Sequence, residues 1–421
     1  MNSCPTPAMP TRLRRVDKRA AAVGLLLAAL AAQAHEAADG AIPDEPGWRI
    51  GAAAAVVAAD ADARWPSERW RGVLTTGSAP RRISGGLRAE HAVLDAGVRL
   101  NGVLGASVAV GWHDREPAHL EAARVHARWA WGADGLEAGA GRRTVPMGAV
   151  IDGAGHFDPA FNQPPLAQRG VLDSPWIDDG VTLAWTREVE RGLQKVELGA
   201  WRGQAFPAAR DGAVVPTLHL QLGWDHAGAH LFAARLRPEG RGAAAVTAGA
   251  AGHSHGSLDC RRTLAQRVCF DGRSDVAGAS LQWASDDERW AASAAWLARR
   301  ERGTLYSTSG SADHRATLHG WWLDLSWRPH PAWTLTLRPE RLVPRVQVHG
   351  IGATALAREA GLDGAQPVER LGLSLGWQLH PAARLSVELG HERQGAAQVS
   401  QAALRLLLNL PEALGGRWQG R

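Results

Sequence analysis

Apolar and polar side chains alternate along most of this chain, most clearly in its last third. Leu323, Leu325 and Trp327 share one face while Asp324, Ser326 and Arg328 share the other. After Pro329-His330-Pro331 the order resumes with Trp333, Leu335 and Leu337 against Thr334, Thr336 and Arg338. A period of two on both arms of a turn predicts a β-hairpin, and proline belongs in the turn because it cannot donate to a ladder. The unit repeats: Leu371, Leu373, Leu375, Trp377 and Leu379 run to His380-Pro381, and Leu385, Val387 and Leu389 run back. Similar pairs flank Ser285-Asp286-Asp287-Glu288, Gly132-Ala133-Asp134-Gly135 and His226-Ala227-Gly228. Asn101-Gly102 signals a two-residue hairpin. The last strand sets Leu404, Leu406, Leu408 and Leu410 against Arg405, Leu407 and Asn409.

Strands are expected near 48–58, 84–100, 103–113, 119–131, 135–143, 179–187, 193–203, 214–225, 229–237, 276–284, 289–300, 315–328, 333–345, 367–380, 384–394 and 398–410. The total of about sixteen is even, as bacterial outer-membrane barrels require. Short turns alternate with longer stretches at 59–83, 144–178, 238–275 and 346–366, which is the asymmetry of such a barrel. In lipid every backbone donor and acceptor needs an internal partner, and a closed barrel leaves no edge. The fold class is therefore all-β: a transmembrane antiparallel β-barrel with Leu, Val, Ala and Trp outward and charged or hydroxyl residues around a wet lumen. A barrel of this size leaves an aqueous channel.

Composition sharpens this. The chain has 19 Trp against 5 Phe and 1 Tyr, and tryptophan favours the membrane–water interface. Arg12, Arg14, Arg15, Lys18 and Arg19 precede an apolar run over 20–32 and the small-x-small site Ala32-Gln33-Ala34. That is the pattern of a Sec-type signal peptide, too short to span a bilayer as a helix. The expected organisation is a signal at 1–34, a short periplasmic segment at 35–46, the barrel at 47–410 and a tail at 411–421. The net charge of +5 is carried almost wholly by arginine, since Lys18 and Lys195 are the only lysines. Export removes nucleic acid from the partners that a basic chain suggests. Cys260 and Cys269 form an even pair in an oxidising compartment, so a disulfide is expected between them.

The segment Gly141-Arg142-Arg143, followed by Pro146-Met147-Gly148, resembles the start of the third long loop in the sixteen-stranded porin superfamily, including its phosphate-selective porin-like branch. The resemblance covers most of the chain in architecture and little of it in motif. It implies that loop 144–178 folds into the barrel as a constriction carrying Arg142, Arg143, Asp152, His156, Asp158, Arg169, Asp173, Asp178 and Asp179. The same loop residues could instead hold the loop against the wall. Outer-membrane lipid and lipopolysaccharide, the barrel-assembly machinery, small hydrophilic solutes and a homotrimer are the implied partners. Two departures stand: the tail from Pro411 to Arg421 follows the last expected strand, and no lysine ladder serves phosphate.

The alternation is expected to point Arg124, Arg128, Arg235, Arg237, Arg328, Arg338 and Arg393 inward or to the rim, with Glu197, Asp324 and Glu388 as inward acids. Arginine rings favour anions, whereas these opposite charges could instead simply pair across the lumen. His253-Ser254-His255 offers two imidazoles to Zn²⁺ or Cu²⁺ in loop 238–275, although two ligands alone do not make a site. No cofactor is otherwise expected. No nucleophile elbow, phosphate loop, dinucleotide fingerprint or His-Glu-x-x-His occurs, and Asp178-Asp179 reads as a strand start, so no catalytic residues are assigned. The expectation is a non-enzymatic channel for passive diffusion of small hydrophilic solutes, weakly anion-selective. The alternative is a plugged barrel that binds a ligand or metal through the histidine loop. A TonB-dependent receptor lacks its plug domain here, and a fourteen-stranded fatty-acid transporter would need an N-terminal hatch.

Overall fold

The computed structural model describes residues 41–60, 65–69, 86–113, 117–155, 157–172, 175–203, 213–244, 260, 264, 267–363 and 365–418. The expected signal peptide and His156, Asp173, His253 and His255 lie outside these residues. The strands are β1 Gly47–Ala59, β2 Gly86–Arg99, β3 Leu104–His113, β4 His119–Trp131, β5 Asp134–Thr144, β6 Ile177–Val189, β7 Gly192–Trp201, β8 Val215–Trp224 and β9 Ala227–Leu236. They continue with β10 Arg241–Ala244, β11 Arg267–Ala284, β12 Trp290–Ser307, β13 Gly310–His330, β14 Trp333–His349, β15 Val368–His380, β16 Ala383–Gln394 and β17 Ala397–Arg417. Each long strand pairs antiparallel with its sequence neighbour, and β17 pairs with β1 to close the barrel. The short β10 only prolongs the ladder on β11 past the end of β9. The result is a closed barrel of sixteen antiparallel strands.

Outward positions form an apolar belt, with Leu231, Leu281, Leu325, Leu373 and Leu389 among its exposed residues. At the short-turn end it is rimmed by Trp131, Trp224, Trp283, Trp290, Trp327, Trp333 and Trp377. Trp290 stacks on Trp327, and Trp333 on Trp377 with centroids 5.3 Å apart. Trp296 and Trp321, directly paired in register, mark the other edge six residues along their strands. At a rise of about 3.3 Å per residue the two lines are roughly 20 Å apart along the strand, of the order of an outer-membrane barrel's apolar band. Beyond Trp296 the outward positions of β12 become Arg300 and Arg302. The strands thus run past the belt, which explains why β11, β12 and β13 exceed their expected lengths.

Two boundaries differ from the sequence reading. The presumed tail is strand: β17 continues through Pro411 to Arg417 and pairs with Gly47–Ile50 after a register shift between Ile50 and Ala52. The Asn101-Gly102 hairpin has one more loop residue than expected. Arg99 faces Gly105, the Leu100 N–H donates to the Leu104 carbonyl, and Asn101 Oδ1 accepts the N–H groups of Val103 and Leu104.

Candidate functional site: the lumen wall and its docked loop

The loop between β5 and β6 folds into the barrel. It turns inward at Gly148, whose φ of 117° suits glycine; a Cβ there would come within 2.6 Å of His230 on β9. Two short helices follow, α1 at Ala149–Asp152 and α2 at Leu166–Leu172. Val145, Met147, Ile151, Ala167, Val171, Leu172 and Trp176 of this loop pack on inward Trp201, Phe232, Leu236, Leu297, Leu318 and Trp322. The lumen is therefore not uniformly polar as expected: one side of it is a dry core that the loop completes. Burial of such side chains stabilises by about 1.5–3 kcal/mol each, so this packing helps hold the loop inside the barrel.

The polar side of the loop is pinned by charges. Arg338 on β14 donates to Asp158 at 2.7 Å and to Asp324 on β13 at 2.6 and 2.9 Å, with its guanidinium 4.4 Å from the Phe161 ring centroid. Arg405 on β17 donates to the carbonyls of Asp158 and Phe161 and lies 3.2 Å from Glu90. Glu388 accepts the Asn162 N–H at 2.8 Å and Glu340 the Leu166 N–H at 2.6 Å. Arg370 reaches the Pro164 carbonyl and both Glu340 and Glu392, and Arg299 reaches the Val171 carbonyl. A segment of the β1–β2 loop joins them: the Ser67 N–H donates to Glu392, and Arg370 stands over Trp65. Arg299, Arg370, Arg405, Glu340 and Glu392 were missed in the sequence, although each holds an inward position of its alternation.

The remaining expected residues divide. Asp158 is buried in the pinned loop; Asp152 instead accepts the N–H groups of Met147 and Gly148, shaping the loop's own turn, and Arg169 sits half-buried on α2. Asp178 is buried and accepts the Gly203 N–H at 2.6 Å. Arg142 and Asp179 do not line a constriction. They share the outward face of Ala140 and Val181 and pair with each other at 3.4 Å. Arg235 and Arg237 are likewise outward, since the inward residues beside them are Phe232, Ala234 and Leu236, and Arg235 pairs with Asp275. Arg393, outward with Leu389, pairs with Glu369 at 2.7 Å. All lie beyond the apolar belt toward the loop end, where the outer wall faces water and charges cost little. Arg328 faces inward by register and sits 3.7 Å from Glu288.

Opposite the docked loop, β3 to β7 keep a half-exposed inner face. Arg124, Arg128, Arg143 and Lys195 stand there with Glu137 and Glu197, among small residues Gly139, Gly141 and Thr182. Lys195 lies 3.2 Å from Glu137 and 3.0 Å from Glu197, and Arg143 lies 4.0 Å from Glu197. At the short-turn mouth residues 41–44 run inside the barrel: Arg49 donates to the Ala41 carbonyl at 2.9 Å, Arg99 to Pro43, and Arg128 to Asp44. Cys260, before β11, and Cys269 on β11 form the expected disulfide.

No family model and no curated protein matches the chain. Among solved structures it is similar to OmpT, an outer membrane protein of Vibrio cholerae, with 11% identity over 86% of this chain and 97% of that one and a TM-score of 0.52. A loop L8 deletion mutant of OmpT gives 12% identity, 87% and 100% coverage and 0.52. A trimer form of OmpT gives 10%, 87%, 100% and 0.50. Likeness at these identities establishes the architecture, an antiparallel barrel of the outer-membrane type.

Proposed function

We propose that this protein is a non-enzymatic outer-membrane channel for passive diffusion of small hydrophilic solutes, with a weak preference for anions. The observation that carries this reading is the polar stripe on β3–β7 facing a loop pinned to the far wall. Arg124, Arg128, Arg143 and Lys195 stand there beside Glu137 and Glu197, with Glu121 and Asp178 buried in the same wall, and charges lining a pore select the opposite sign. The phosphate-selective branch of the resemblance gains nothing here, since Lys195 is the one lysine after the expected signal. In this reading the tryptophan lines meet outer-membrane lipid and lipopolysaccharide, the barrel-assembly machinery inserts the chain, and the trimer is the assembly to look for. Single-channel recording of the refolded protein in a planar bilayer under a salt gradient tests it. Steady openings with a reversal potential of anionic sign are expected; a folded barrel that stays silent refutes it.

A plugged barrel is the second reading. Phe157 of the docked loop also reaches the near wall, stacking on His91 of β2 at 4.9 Å and packing with Ala53, Val93 and Ala122. Silence in the bilayer favours this reading.

A further inference from the structure

We propose that His91, His113, His119 and Glu121 form a binding site for a divalent transition-metal ion of the zinc class, in the lumen wall near the loop end. Two local features build it. The three-residue turn after β2 sets His91 directly opposite His113, so both imidazoles face inward. A register shift between Ala109 and Val110 then bulges β4, so that Glu121 and its neighbour Ala122 are both buried while His119 lies against Gly111. Bulges commonly re-aim a side chain in this way.

The result is a ladder of imidazoles beside one carboxylate. His91 and His113 stack at 4.2 Å and His113 and His119 at 5.1 Å. Glu121 Oε1 lies 2.7 Å from His91 Nε2 and 3.5 Å from His119 Nε2. One ligand atom each from His91, His113 and Glu121 lie within 4.8 Å of one another. Tetrahedral zinc at bond lengths of about 2.0–2.1 Å needs its ligand atoms roughly 3.3 Å apart, so His91 and His113 would turn out of their stack to converge on the ion. Gly111 is the cradle: a Cβ there would come within 2.8 Å of His91 Nε2 and 2.5 Å of the Glu121 carboxyl carbon.

The donor set decides the ion class. Two imidazoles and a carboxylate, with His119 beside Glu121 as a further donor, suit zinc, copper or nickel, whereas calcium and magnesium require a shell of oxygens. His91 and Glu121 are 3% exposed and His119 is 38% exposed, so two ligands are fixed in the wall and a third meets the lumen. The site is built without His253 and His255, which the sequence alone suggested for metal and which lie outside the described residues.

The test is zinc titration of the refolded, EDTA-treated full barrel by calorimetry, in a His253→Ala/His255→Ala background, with heat-modifiable migration as the check on folding. One zinc per chain is expected to persist in that background. It should weaken by tenfold or more in Glu121→Gln, which keeps shape, and in His119→Gln at the exposed edge, and be lost in His91→Ala/His113→Ala. X-ray absorption of the zinc-loaded protein should show a first shell of nitrogen and oxygen without sulfur. Loss of all zinc binding with His253 and His255, or unchanged affinity in folded Glu121→Gln and His119→Gln, overturns the proposal.

Discussion

Replacing Arg338 with leucine challenges the docked loop most severely. Its guanidinium joins Asp158 of the loop to Asp324 of the wall, and its side chain is 3% exposed. Arg338→Leu keeps an apolar stem but leaves two carboxylates facing one another with their shared cation gone. Removing one partner from a buried ionic group costs about 3–5 kcal/mol. Asp324 is fixed in β13 and stays where it is, so the strain is relieved by lifting Asp158 and the loop that carries it. At about 1.4 kcal/mol per factor of ten, the docked-to-lifted ratio falls by roughly 10²–10⁴. The bonds from Arg405, Arg370, Glu340 and Glu388 limit how far the loop moves. Single-channel recording should therefore show larger and noisier open levels in the variant. Arg338→Leu/Asp158→Asn removes the stranded loop carboxylate and should return the trace toward the wild type. Identical traces for wild type and Arg338→Leu, or a double variant no closer to wild type than the single, would refute the view that this cluster holds the loop.

Three further outcomes are expected. Arg124→Glu/Arg128→Glu should move the reversal potential toward cations; an unmoved potential means that ions do not pass along β3–β7. Trp333→Ala removes the 5.3 Å stack on Trp377 and should lower the urea midpoint in vesicles, losing about 0.5–1.5 kcal/mol beyond the buried area. Cys260→Ser/Cys269→Ser frees a bridge spanning 9 positions, worth about 2–3 kcal/mol in the chain-entropy account. Proteases should then cut the β9–β11 loop faster while conductance holds, and equal cutting rates would contradict it.

Much of this architecture was legible because alternation and turn chemistry are local. Trp-x-x-His-Pro-Ala marks two hairpins outright, and Arg338, Asp324 and Glu388 face inward as their alternation requires. What alternation does not tell is where a strand leaves the apolar belt. Arg235, Arg237 and Arg393 were assigned to the lumen or its rim because charge on a strand was read that way, and Arg142 and Asp179 were assigned to the constriction by the porin resemblance, whereas past Trp296 the outer face is wet too. Nor could Phe232, Leu297, Leu318 and Trp322 be read as inward, because the partner that dries them lies far away in sequence. The histidine ladder was hidden by one residue. A two-residue turn at Asn101-Gly102 would set His91 opposite Trp112, and the extra residue changes which side chains meet.

The seam between β1 and β17 has a consequence for the order of assembly. It joins Gly47 to Arg417, the two ends of the barrel sequence. Loop-closure entropy rises with the length of chain enclosed, so this pairing is the slowest to form and the last to be rewarded. Until it forms, β1 and β17 are open edges able to recruit a neighbouring chain. The Ala52–Ala59 half of the seam pairs with residues before Pro411, but its other half needs the C-terminal residues: Gly47–Ile50 pair with Leu414–Arg417, Arg49 donates to the Pro411 carbonyl, and the Trp418 indole donates to the Arg99 carbonyl at 2.9 Å. A chain halted just before Pro411 would keep every hairpin and the Ala52–Ala59 pairs yet lack this latch, leaving the Gly47–Ile50 edge of β1 open to a neighbouring chain.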